Sequence, residues 1–119
     1  MGVIDEVLKA NEEYARSFSL CALTMPPARK LAVVACMDAR LTVEEMLGLK
    51  TGDAHIIRNA GGIVTEDVLR SLLISHHLLG TKEFMISNHT DCSMLTFKSE
   101  DLRSRLQRES GTAVVVPAH

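Results

Sequence analysis

Lys30-Leu31-Ala32-Val33-Val34-Ala35 runs without a break into Cys36-Met37-Asp38-Ala39-Arg40. The first six residues are almost wholly apolar and β-branched near their centre, which predicts a strand buried on both faces. Thr42-Val43-Glu44-Glu45 follows and predicts a capping box that opens a helix. Residues 36–40 therefore fall at the carboxyl end of a central parallel strand, where open α/β sheets bind their ligands. His89-Thr90-Asp91-Cys92 has the same setting, delivered by a strand over Glu83-Phe84-Met85-Ile86-Ser87-Asn88.

Working outward, residues 3–20 predict an amphipathic helix, with Ile4, Val7, Leu8, Tyr14, Ala15 and Phe18 near one face. Thr24-Met25-Pro26-Pro27 predicts its end and an extended connection. Cys21, just before that connection, reads as a small packed residue rather than a ligand. Beyond the central strand, Gly48 and Lys50-Thr51-Gly52-Asp53 turn the chain into a second strand over residues 54–58. Asn59-Ala60-Gly61-Gly62 then either lines a pocket or makes a plain strand-to-helix turn. Thr65 predicts a helix cap, Val68, Leu69, Leu72, Leu73 and Leu79 its buried stripe, and Gly80 its stop. His55 and the pair His76-His77 read as structural or surface residues, because adjacent helical side chains point about 100° apart. Ser99 predicts a further helix and residues 113–116 a fourth strand, closed by Pro117. The order is a helix, then β-α-β-α-β-α-β. It predicts an α/β fold with a parallel β-sheet core and flanking helices, wound in both directions.

Composition sets bounds on function. The chain has 119 residues, 46% hydrophobic and 24% charged, with net charge −2 and no Trp. That size predicts a single domain. No basic block or aromatic platform suggests nucleic acid, and no run is long enough to span a membrane. The first six residues lack the basic and apolar pattern of a signal peptide. Three cysteines fit catalytic or metal-binding thiols in a reducing cytoplasm better than a disulfide framework.

Cys36, His89 and Cys92 can supply two thiolates and an imidazole to one zinc ion. Three protein ligands plus water is the pattern of a catalytic site. Asp38 and Arg40, two residues apart on extended backbone, point to the same side, so Arg40 can clamp the Asp38 carboxylate bidentately. Zinc lowers the pKa of its water to about 7, and Asp38 could orient the resulting nucleophile. The same residues also fit a plainer reading, packed thiols beside a surface ion pair.

Taken together, Cys36-Met37-Asp38-Ala39-Arg40, Arg58-Asn59-Ala60-Gly61-Gly62 and His89-Thr90-Asp91-Cys92 resemble, in order and spacing, the signature stretches of the β-class carbonic anhydrases. The small prokaryotic-type members are the best match. The resemblance implies one zinc per chain on Cys36, His89 and Cys92, a catalytic dyad of Asp38 and Arg40, and reversible hydration of carbon dioxide to bicarbonate and a proton. It also implies a homodimer or tetramer in which residues 1–25 form a helical arm packed on a partner subunit. The whole of 1–119 would be one zinc-binding domain. Family members usually continue past the fourth strand with further helix and an edge strand. The chain stops at Pro117-Ala118-His119, so the expectation is a C-terminally short member with its zinc site intact and its assembly weakened. The alternatives are hydrolysis of carbonyl sulfide or carbon disulfide on the same fold, and a non-catalytic zinc-binding module.

Overall fold

Leu31–Cys36 forms strand β1, and every residue in it after Leu31 is buried. The structure, a computed structural model, describes residues 2–89. The unbroken apolar run predicts a strand covered on both faces, and the backbone groups along the edges of such a strand must be paired by neighbours. β2 (Ala54–Asn59) pairs parallel on one side and β3 (Glu83–Ile86) parallel on the other, giving the order β2-β1-β3. Leu31 stands opposite both Ala54 and Glu83, and the registers run on to Cys36 opposite Asn59 and Val34 opposite Ile86. The helices are α1 (Val3–Arg16), α2 (Val43–Leu47) and α3 (Glu66–Leu79). The first crossover moves from β1 to β2, and the second returns past β1 to β3. Right-handed crossovers in opposite directions place their helices on opposite faces and create a switch point at the carboxyl ends of β1 and β3. The expected helix from Ser99 and the expected strand over 113–116 lie outside the described residues.

Alternation along β1 divides the core. Val33 and Ala35 pack with Val43 of α2, joined by Leu31, Leu41, Leu47, Leu49 and Ile56. Ala32, Val34 and Cys36 take the other face, and α3 packs against β1. Within α3 the buried line is Val68 and Ser75, with Leu72 and Leu79 half-buried at the same helical spacing. Leu69 and Leu73, expected in the stripe, are exposed, each at 49%. They sit one residue, or about 100°, past the buried line and so turn outward.

Ser75 in that line is polar and satisfied. Its Oγ lies 2.6 Å from His55 Nδ1 and 2.5 Å from the Thr81 hydroxyl, itself fully buried. His55 Nε2 donates to the Met25 carbonyl at 3.0 Å, so the ring ties β2 to both α3 and the N-terminal connection. His76 Nδ1 similarly donates to the Thr81 carbonyl at 2.6 Å. Both histidines thus have the structural roles expected of them.

Local chemistry explains where elements begin and end. Thr65, extended at ψ 176°, caps α3 by accepting from the Val68 N–H at 3.3 Å, and Gly80 closes the helix at φ 81°. Thr42 occupies the N-cap of α2, but at ψ 87° its side chain makes no cap bond, so the expected capping box does not form. Lys30 has φ 54°, which delays β1 to Leu31.

α1 stops at Arg16, four residues before the expected end. The Ser17 hydroxyl bonds back to the Glu13 and Tyr14 carbonyls, in competition with further helix. Turns, rather than an extended segment, then lead to β1, anchored where the Ala28 and Arg29 amides donate to Gly52 and Asp53 carbonyls. Cys21, on one of these turns, is exposed and not packed as expected.

Gly62 makes the tightest approach to the sheet. At φ 63°, an added Cβ would lie 3.0 Å from both Cys36 N and Ser87 O. Gly48 has a similar φ of 67° but open space around it. Gly48→Ala should therefore cost about 1 kcal/mol for backbone strain alone, and Gly62→Ala on the order of 3 kcal/mol because backbone must also move. Urea unfolding of the two variants measures the difference.

Candidate metal centre and its ion pair

The carboxyl end of β1 delivers Cys36 with its residue fully buried. The Met37 amide still donates to Asn59 O at 2.8 Å, so the ladder with β2 holds one residue further. The chain then turns. The Leu41 amide donates to Asp38 O at 3.0 Å, and Asp38 Oδ1 accepts from the Arg40 amide at 2.9 Å. This Asx-type turn brings the Arg40 guanidinium back over the Asp38 carboxylate. Nε donates to Oδ1 and Oδ2 at 3.0 and 3.1 Å, and Nη2 donates to Oδ2 at 2.6 Å.

The expected clamp between Asp38 and Arg40 is therefore present, but it closes across a turn and not along the extended backbone expected of these residues. Asp38 is largely covered, its side chain 14% exposed, whereas Arg40 is 68% exposed. Hydrogen bonds from the Arg40 side chain, and then from its amide, hold the Asp38 carboxyl well below the usual carboxylate range. Asp38 is accordingly an anion and an acceptor at neutral pH.

His89 lies three residues beyond β3 and is mostly covered. Its Nε2 is 3.9 Å from Asp38 Oδ2, too long for a hydrogen bond but close enough for electrostatic interaction. The sheet thus gathers the Cys36 strand end, the Asp38–Arg40 pair and His89 at the switch point. Cys92 lies outside the described residues. Among the described residues, no set of three His, Cys, Asp or Glu side chains is placed to hold a metal ion. Cys21 lies in the turns before β1 and is exposed.

Arg58 and Asn59 act here in ways that sequence reading left unassigned. Arg58 Nε donates to Cys36 O at 2.9 Å, and Nη2 donates to Asp38 O at 2.8 Å. Asn59 accepts from the Ile63 amide at 2.9 Å and donates to the Ile63 carbonyl at 2.7 Å, closing the glycine loop. Gly61 and Gly62 are both buried within it. The loop is therefore packed against the strand ends as it turns from β2 towards α3. The available signal was position: a cationic and an amide side chain at the end of a strand, just before paired glycines.

Comparison with known proteins agrees with this geometry. The carbonic anhydrase family model matches residues 31–115, more than half of the chain. β-Carbonic anhydrase 1 of Mycobacterium tuberculosis is 54% identical over 111 residues, covering 93% of this chain and 68% of that protein. The chain belongs to the β-carbonic anhydrase family. A crystal structure of carbonic anhydrase from Streptococcus mutans superposes with a TM-score of 0.85 at 44% identity, covering 95% of this chain and 68% of that one. A carbon disulfide hydrolase of Saccharolobus solfataricus is 45% identical over 100 residues, covering 83% of this chain and 47% of that enzyme. β-Carbonic anhydrases are zinc-dependent enzymes. In this member of the family, the residues matched by the family model include β1, the Asp38–Arg40 pair and His89.

The contrast between an exposed Cys21 and a buried Cys36 has a direct readout. In reduced, metal-free Cys92→Ser protein, one thiol should react quickly with a thiol-specific reagent and a second only on unfolding. Cys21→Ser should remove the fast phase.

Proposed function

We propose that the chain catalyses reversible hydration of carbon dioxide to bicarbonate and a proton, using one zinc ion held by Cys36, His89 and Cys92. The observation that carries this reading is the Asp38–Arg40 clamp beside His89 at the switch point. The donor chemistry fits zinc: two thiolates and an imidazole are soft to borderline ligands, and Cys36 ends β1 while His89 lies three residues beyond its parallel neighbour β3. Zinc, when bound there, would act as a Lewis acid that lowers the pKa of water to about 7.

The chain's own residues supply orientation. Asp38 is too weak a base, with its carboxyl held low by Arg40, to take the proton of the attacking water outright. It accepts a hydrogen bond instead and aims a lone pair of the water oxygen at the carbon of carbon dioxide. A C–O bond forms, one C=O π bond opens, and the proton leaves to solvent, giving bicarbonate. Arg40 occupies both Asp38 oxygens and keeps the carboxylate from swinging towards the metal ligands.

The likeness to carbon disulfide hydrolases favours one second reading, hydrolysis of carbon disulfide by the same attack. Parallel assays of bicarbonate and hydrogen sulfide formation distinguish the two; a zinc-loaded protein with neither activity would support the non-catalytic module.

Assembly is part of the proposal. α1 buries none of its residues, and Val3, Ile4, Val7 and Leu8 are all exposed. Residues 1–25 act in this reading as an arm covered by a partner subunit in a homodimer or tetramer. No helix among the described residues is long and apolar enough to cross a membrane. Thiolate ligands need a reducing compartment, and the cytoplasm completes the reading.

Elemental analysis should find one zinc per chain, sharply reduced in Cys36→Ser and Cys92→Ser and unchanged in Cys21→Ser. Arg40→Ala should lower hydration turnover roughly 10- to 100-fold with little change in thermal unfolding. Near-normal turnover in Arg40→Ala would remove the dyad from the mechanism.

A further inference from the structure

We propose that Arg58 is a positioning residue that holds Cys36 and Asp38 in fixed relation by donating to both of their carbonyls. The proposal rests on the functional reading above and extends it to a residue outside the ligand set and the dyad.

Ordinary sheet pairing of β1 ends where the site begins. Val34 O accepts from Ser87 N at 2.8 Å, and the Met37 amide carries the backbone ladder on to Asn59 O of β2. Two residues beyond Val34, the Cys36 carbonyl is met by the Arg58 side chain. A further two residues on, Asp38 O takes the other arm of the same guanidinium together with the Leu41 amide. One planar group thus spans the carbonyls of the two residues that flank Met37.

This fork ties together the residues whose side chains carry the proposed chemistry. Cys36 is fixed on its carboxyl side by Arg58 through O and by Asn59 through the Met37 amide. Asp38 is held from two directions, its carboxylate by Arg40 and its carbonyl by Arg58. Arg58 stands opposite Ala35 in the register, so β2 itself sets the distance over which the fork reaches. Lysine cannot replace it, because a single ammonium lacks the rigid pair of donors needed for both carbonyls. Misplacement by about 1 Å of a group near the reacting atoms can lower turnover roughly 100-fold, so a hold on the backbone is a hold on rate.

The test compares Arg58→Lys and Arg58→Ala with the parent protein in zinc content, thermal unfolding, hydration kinetics and amide hydrogen exchange. Expected results are an unchanged zinc content and a kcat lowered roughly 10- to 100-fold in both variants with KM nearly constant. The Leu41 amide should exchange faster while the amides of Val33 and Val34 keep their protection. Added guanidinium ion should restore part of the turnover of Arg58→Ala and none of that of Arg58→Lys. Parent-like kcat and Leu41 exchange in Arg58→Lys would overturn the proposal. So would a loss of turnover that follows thermal stability in step, with exchange raised throughout β1. Should the zinc-loaded parent hydrate no carbon dioxide, the functional reading fails, and Leu41 exchange alone then decides for or against the role of Arg58.

Discussion

Burial of β1 on both faces is the constraint from which the rest of this structure follows. An extended chain hidden from water must have its amides and carbonyls taken up by neighbouring strands. β2 and β3 do this in parallel, which forces each connection to cross the sheet. Crossing in opposite directions puts the carboxyl end of β1 at the switch point of the sheet. Cys36, the last residue of that strand, is thereby both a core residue and the entrance to the site. Its dual position explains why a loop glycine, Gly62, must press against its amide: a side chain there would meet backbone.

The site itself is built by polar groups taking over where the ladder stops. Past Cys36 the Met37 amide keeps a bond to β2, and two arginines add charged donors around the turn that follows. Arg40 bonds a carboxylate and is largely exposed; Arg58 bonds carbonyls. The first keeps Asp38 ionised, and the second fixes the chain from which Asp38 projects. Charge-assisted hydrogen bonds are stronger than neutral ones, which suits a loop with no strand on which to lean. Nearer the amino end of the sheet, where His55 stands opposite Ala32, the His55, Ser75 and Thr81 network performs a comparable task, tying β2, α3 and the N-terminal connection together.

Apolar surface remains exposed after this core is formed. α1 shows Val3, Ile4, Val7 and Leu8 to solvent, and Phe84, Met85 and Ile86 of β3 are each more than 40% exposed. α1 has the apolar stripe of a helix that packs on something, and no element among the described residues receives it. Amphipathic pattern and actual burial are thus different quantities. The first is a property of the helix, whereas the second requires a surface to meet it.

Local chemistry by itself determined much of this protein. The unbroken apolar run specified β1, Thr65 and Gly80 bounded α3, and the two-residue spacing of Asp38 and Arg40 specified their clamp. Each depends on groups within a few residues of one another, so periodicity and hydrogen-bond inventory suffice. Tertiary structure decided what depends on distant partners. It turned Leu69 and Leu73 outward, because only packing against β1 selects one line of the α3 surface. It left Cys21 exposed, because the early end of α1 put that thiol on a turn. It also gave Arg58 its work: residues 36 and 58 are remote in the chain, and only parallel pairing of β1 with β2 brings a guanidinium to the Cys36 carbonyl.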